Sequence, residues 1–315
     1  MKPRFDAETV VLVAGVVAVL LMASITGWIL SRRAGGVAYQ STIANLNARI
    51  RAWWMMVAIF LFAMLSGGLG SVVLFALTSF LALREFVTMT PTKLGDHGTL
   101  LWVFFVITPI QYALVALHWY GLFSIFIPVY AFLFVPLRSV LSGDCERFLE
   151  RTATIQWALM VCVYCVSHAP ALMTLQIPAF EGQNGKLLLY FVLVVQASDV
   201  FQYIWGKLLG KHKIAPTVSP NKTLEGFLGG VVMATLLGTA LWWATPFTPW
   251  QAAAMSLLIA LMGFVGGLVM SAIKRDRGVK DYGTLIEGHG GVMDRIDSLC
   301  FSAPVFFHIT RYFFT

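Results

Sequence analysis

Hydrophobic positions in this chain run together in long blocks instead of alternating with polar ones. Ten blocks can be separated, centred near residues 20, 59, 76, 108, 129, 165, 195, 235, 260 and 306. Each is about 17–25 residues, the length an α-helix needs to cross the hydrocarbon core of a bilayer. The third is short, and Ser66-Gly67-Gly68-Leu69-Gly70 is the only break between it and the second. The pattern predicts an all-α, polytopic integral membrane protein of about ten transmembrane helices. One continuous membrane domain is expected, with a scaffold region over 1–175 and a C-terminal region over 176–315 whose helices and loops carry the active site. The first block, Val10 to Leu30, is too long for a cleaved signal peptide and lacks a small-residue cleavage site at its end.

Composition sharpens the class. The 315 residues are 58% apolar and only 12% charged, with a mean hydropathy of +0.79, whereas about a quarter of a soluble domain is charged. The net charge of +7 matters by position. With the N-terminus outside, 18 of the 22 basic residues fall on inner connections, leaving Lys2, Arg4, Lys186 and Arg311 outside. The positive-inside rule then puts those connections in the cytoplasm and rejects the inverted topology.

Several polar features need no chemistry. Cys162, Cys165 and His168 imitate a metal-ligand spacing inside an apolar helix, where cysteine behaves as a small hydrophobe. Ser31 to Ala52 carries four arginines, with Ile43, Leu46 and Ile50 at helical spacing, and reads as a topogenic helix along the inner membrane surface. Asp144 to Arg151 mixes acids and bases as a solvated helix end does.

The chemistry concentrates later. Segments 206–225 and 274–297 flank two membrane helices joined by the uncharged Thr245-Pro246-Phe247-Thr248-Pro249, so both emerge on one side and can share a site. Asp199 interrupts the apolar run from Leu187 to Trp205. A carboxylate at that depth costs at least about 2.5–3.5 kcal/mol and is expected to face a polar cavity, a cation or a basic partner. Lys207 and Lys211 follow, then Ser219-Pro220-Asn221-Lys222-Thr223-Leu224-Glu225-Gly226. Ser219 before Pro220 predicts a helix N-terminus, with Lys222 in its first turn and Glu225 one turn inside, and such a terminus attracts anions.

The loop from Ser271 to Asp297 is the strongest signal. Asp294 and Asp297, three apart, share one face of the helix beginning there, and Asp281 can join them across the turn. These three are the expected metal ligands, since magnesium takes a few carboxylates and completes its shell with water and substrate phosphate. Gly288, Gly290 and Gly291 allow close approach of a phosphate to the backbone. Lys274, Arg275, Lys280 and Arg295 supply cations, and His289 a phosphate donor or proton carrier.

These residues resemble the CDP-diacylglycerol synthase (phosphatidate cytidylyltransferase) family. Its signature Ser-x-x-Lys-Arg, Lys-Asp, then His-Gly-Gly-x-x-Asp-Arg-x-Asp is matched by Ser271, Lys274, Arg275, Lys280, Asp281, His289, Gly290, Gly291, Asp294, Arg295 and Asp297. An upstream Ser-Pro-x-Lys-Thr-x-Glu-Gly stretch is matched by Ser219, Pro220, Lys222, Thr223, Glu225 and Gly226. The chain departs at Gly267, where many bacterial members carry an acid, and at Gln202 and Glu287. The resemblance implies CTP and phosphatidate as substrates and magnesium as cofactor, with a second cation compatible. It further implies a bacterial inner membrane, catalytic loops in the cytoplasm and no nucleic-acid partner, and a homodimer is compatible with it. Asp199, Lys222, Asp281, Asp294 and Asp297 would be catalytic. Another lipid phosphate or a polyprenol is the alternative acceptor. A transporter would spread its polar residues over paired halves.

Overall fold

Ten apolar helical segments coincide with the ten hydrophobic blocks in the computed structural model, which describes residues 6–33, 37–286 and 290–315, the side chains of 33 and 37–42 excepted. They are α1 (Ala7–Arg33), α2 (Val37–Leu65) and α3 (Gly68–Thr88); α4 (Leu94–Ala116), α5 (Tyr120–Val140) and α6 (Phe148–Thr174); and α7 (Asn184–Leu209), α8 (Leu224–Ala240), α9 (Pro249–Asp276) and α10 (Met293–Phe314). The protein is an all-α polytopic membrane protein. Eight segments, α1–α7 and α9, are long and apolar enough to cross a bilayer. α8 is shorter, and α10 carries Asp294, Arg295, Asp297 and Arg311.

The α2–α3 break falls at Gly67, whose φ of 85° suits a residue without Cβ. The separate surface helix expected over Ser31 to Ala52 is not there. Val37–Leu65 is one continuous helix because no glycine or proline interrupts it. Gly27 leaves room on α1 for Asn47 and Ile50, so this stretch packs on α1.

α10 occupies the centre of the bundle, packed against α3, α6, α7 and α9. Phe306 and Phe307 are fully buried, Phe306 stacking on Phe191 at 5.1 Å. Cys162 and His168 are core residues on α6, with His168 Nδ1 donating to the Tyr164 carbonyl at 2.8 Å. α5 accommodates Pro128 through a widened turn over Phe126–Ala131. The Ser124 carbonyl that Pro128 cannot bond accepts the Tyr164 hydroxyl at 3.0 Å.

Two ion clusters fasten the ends. Lys186, at the start of α7, donates to Asp6 at 2.8 Å and also to Glu8, so α1 and α7 begin on the same face. Burial raises the Asp6 carboxyl, but hydrogen bonds from Lys186 and Thr9 prevail and hold it at about 2. On the opposite face, the expected solvated helix end is corrected: Arg151 is buried. Its guanidinium donates to Asp96 at 2.6–3.1 Å, to Asp144 at 2.9 Å and to the Glu146 carbonyl at 2.7 Å.

The largest local correction concerns Ser219-Pro220. β1 (Lys213–Ala215) and β2 (Ser219–Thr223) form an antiparallel hairpin, with Lys213 opposite Thr223 and Ala215 opposite Ser219. α8 begins only at Leu224, capped by Thr223, whose hydroxyl accepts from Gly226 N at 3.2 Å. A Ser-Pro pair suits a helix start or an edge strand, where the missing donor costs nothing. Pairing with β1 and the Thr223 cap select the strand. Lys222 therefore lies before the helix, and Glu225 is its second residue. α8 then lies close on α7: a Cβ on Gly226 would stand 2.8 Å from the Gln202 carbonyl oxygen.

Candidate active site

Both polar segments emerge on one face, and side chains tie them together. Arg275, at the end of α9, donates to the Val218 carbonyl in the β-hairpin at 3.2 Å and to the Val279 carbonyl at 3.1 Å. A Cβ placed on Gly267 would lie 2.9 Å from Lys222 Nζ, 3.5 Å from Ser298 Oγ and 3.9 Å from Asp297 Oδ2. The expected convergence of Lys222 with the final loop is therefore present. An acid at Gly267 would have stood within this cluster.

The two carboxylates at its centre come from different helices. Asp199 on α7 accepts the Ser298 hydroxyl at 3.0 Å. Asp297 on α10 accepts Ser298 N at 2.8 Å, with the same hydroxyl at 3.5 Å from its Oδ1. Ser298 thus links the pair. Neither carboxylate receives a lysine or arginine within ion-pair distance among the described residues. Their compensating charge comes from slightly farther cations: Lys274 and Lys222 beside Asp297, the Lys222 Nζ lying 4.8 Å over the Phe264 ring, and Arg295. Burial lowers the Lys222 ammonium pKa, and Asp297 and Asp199 oppose that shift. Arg295 keeps a buried Nε without a hydrogen-bond partner, while its carbonyl accepts Gln196 Nε2 at 3.2 Å. A buried guanidinium nitrogen with no acceptor is costly unless a ligand completes it.

Asp294 sits differently from its expected role beside Asp297. It is buried, with Oδ1 accepting Lys274 Nζ at 2.8 Å and Oδ2 accepting Tyr282 N at 2.7 Å and Gly291 N at 3.0 Å. Three donors from the loop and α9 hold it, so it organises the loop. Asp281 is exposed and stands beside Asp294 across Gly290. Asp281, Asp294 and Asp297 are not gathered into one ligand set, and no cluster of three or more metal-binding side chains occurs among the described residues. The i,i+3 spacing puts two residues on one helix face, yet that face spans both the loop side and the α7 side.

The other expected residues divide in the same way. Gly290, at φ 82°, turns the chain so that Ile286 N donates to its carbonyl at 2.8 Å. Ser271 donates to the Gly267 carbonyl at 2.6 Å. Glu225 accepts Lys211 N at 3.0 Å and His212 Nδ1 at 2.6 Å, so it closes the hairpin. Ser219 is half-buried in β2, while Lys207, Lys211, Asn221 and Lys280 are exposed. His289 lies outside the described residues.

Three residues escaped the sequence reading. Ser298 joins the carboxylates, and Tyr282 is buried with its hydroxyl donating to the Met270 carbonyl at 2.9 Å. The third is Glu85, in the last turn of α3, whose two oxygens accept Val292 N and Met293 N at 2.9 Å each. An acid at the end of an apolar block gives a weaker signal than Asp199, which lies inside one. Beside Arg84 it resembled an ordinary helix end.

Comparison with known proteins shows the family of the chain. The sequence model of the cytidylyltransferase family matches residues 47–313. An uncharacterized protein, YnbB, of Escherichia coli (strain K12) is 41% identical over 290 residues, covering 90% of this chain and 91% of its own. The phosphatidate cytidylyltransferase of Staphylococcus aureus (strain COL) is 31% identical over 255 residues, covering 78% of this chain and 92% of its own. That of Staphylococcus haemolyticus (strain JCSC1435) is 39% identical over 129 residues, which is 40% of this chain and 50% of its own.

Proposed function

The chain belongs to the cytidylyltransferase family and is a membrane-embedded nucleotidyltransferase that uses CTP, and we propose that its acceptor is phosphatidate. A phosphatidate oxygen attacks the α-phosphorus of CTP in line, the bond to the β-phosphate breaks, and diphosphate leaves with CDP-diacylglycerol as the lipid product. A phosphate acceptor is already ionised at neutral pH, so positioning and charge stabilisation carry the catalysis. The observation that carries this reading is the pair Asp199 and Asp297, linked through Ser298, beside Lys222 and the unpartnered Arg295 Nε.

Two facing carboxylates support magnesium as the cofactor, its shell completed by water and substrate phosphate. Asp199 and Asp297 have oxygens free of direct cation contacts among the described residues, and Asp281 is exposed at the rim. Bound there, the ion would neutralise triphosphate oxygens and offset charge on the departing diphosphate. Lys222 and Arg295 would hold phosphate oxygens, and Asp294 with Lys274 would keep the loop in place. The lipid would enter sideways between helices, its tails remaining in the bilayer. We place the site at the cytoplasmic surface of a bacterial inner membrane, as the basic inner connections support.

Purified protein in detergent with magnesium, CTP and a panel of phosphatidate, other lipid phosphates and polyprenyl phosphate is expected to release diphosphate with phosphatidate foremost. Diphosphate release only with another acceptor would keep the reaction class and overturn the lipid assignment. Lys222→Ala should lower kcat/KM for CTP by about 10²-fold, the scale of losing one charge-stabilising donor. Steady-state kinetics on the folded variant check this.

A further inference from the structure

Nothing in the proposed chemistry requires α3, which belongs to the scaffold half, yet one of its side chains ends at the catalytic loop. Glu85 accepts Val292 N and Met293 N, the first free amides of α10, one with each carboxylate oxygen and both at 2.9 Å. These are donors that a helix start leaves without internal partners, and a carboxylate also suits the positive end of the helix dipole. The loop is shaped around it. A Cβ on Gly283 would stand 2.8 Å from Glu85 Oε1, and one on Gly291 would stand 2.7 Å from Glu85 Cδ.

The consequence reaches the chemistry through α10. Arg295 and Asp297 lie within the first two turns of the helix that Glu85 caps. Asp297 must meet Asp199, which α7 supplies independently. Gly291 N is taken by Asp294, so these three successive amides at the glycine pair are filled by protein carboxylates. The amides of Gly291, Val292 and Met293 are therefore not free to cradle a phosphate.

We propose that Glu85 is a positioning residue of the transferase: by clamping the start of α10 to α3 it fixes Arg295 and Asp297 in register with Asp199 and Lys222. This rests on the reading of the site given above. Both Glu85 oxygens are taken by the amides of α10, so its effect should fall on turnover more than on nucleotide affinity.

Glu85→Ala is expected to lower kcat by about 10²-fold, as a misplacement of about 1 Å can, with the KM for CTP changed less than about threefold. Glu85→Gln keeps an acceptor for one of the two amides and should recover to within about tenfold of native. Gly291→Ala should lose turnover by pushing the carboxylate aside. In the Glu85→Ala background the same methyl finds room, so the double variant should be no worse than Glu85→Ala alone. Independent losses that multiply in the double variant would overturn the proposal, as would native kcat in folded Glu85→Ala. Amide exchange at Val292 and Met293 gives a readout separate from activity: it should accelerate in Glu85→Ala, and unchanged protection would also overturn the clamp. Should native protein prove inactive with CTP and every lipid acceptor, the functional reading fails while the exchange experiment still decides the anchoring.

Discussion

Asp297→Asn is expected to abolish cytidylyl transfer, with kcat lowered by about 10³-fold or more, in protein that inserts and melts like the native chain. Asn keeps the shape and an oxygen able to accept Ser298 N, the bond Asp297 makes at 2.8 Å. What disappears is one negative charge in a cluster where two carboxylates are balanced by Lys274, Lys222 and Arg295. Losing a single fixed group that stabilises transition-state charge typically costs 10²–10³-fold, and removal of a magnesium ligand adds to this. Diphosphate release measured over a range of magnesium concentrations, with a melting curve in the same detergent, separates chemistry from folding. Turnover within tenfold of native at saturating magnesium would remove Asp297 from the site. Partial rescue at high magnesium would fit weakened metal affinity and preserve the assignment.

The sequence disclosed the ten helices because bilayer thickness sets block length, and a block of 17–25 apolar residues has few other uses. It disclosed the face of the site because a hairpin returns the chain to the side it left, and Arg275 reaching Val218 shows the two segments meeting. What it hid was pairing at long range. Asp294 and Asp297 looked like partners because helical spacing is visible in a sequence. Asp199 with Asp297 required knowing that α7 packs on α10. Glu85 lay farther still, in a region whose polar residues resembled loop ends. The β-hairpin was misread for a local reason: Ser219-Pro220 satisfies a helix-start pattern, and only pairing of β2 with β1 decides against it.

Arg151→Met should destabilise the fold by about 3–5 kcal/mol, the cost of leaving a buried charge without its partner. Arg151 is 8% exposed and Asp96 2%. The guanidinium joins Asp96 at the start of α4 to Asp144 and the Glu146 carbonyl before α6, so three acceptors on two chain segments lose a common donor together. Asp96 also accepts Lys93 N at 3.0 Å as part of a helix cap, and that bond alone is too little to solvate a buried carboxylate. Replacing Asp96 with Leu in the Arg151→Met background removes the stranded charge and should recover part of the loss, with the cap and Asp144 accounting for the remainder. Thermal unfolding in detergent reads both variants. A melting temperature for Arg151→Met equal to native would mean that the cluster is open to water and contributes no more than a surface ion pair, under about 1 kcal/mol. Specific activity of the fraction that remains folded distinguishes this variant from Asp297→Asn. Arg151 has no atom near Asp199, Asp297 or Lys222 in its hydrogen-bond network. Folded Arg151→Met should therefore turn over at close to the native rate, whereas folded Asp297→Asn should not.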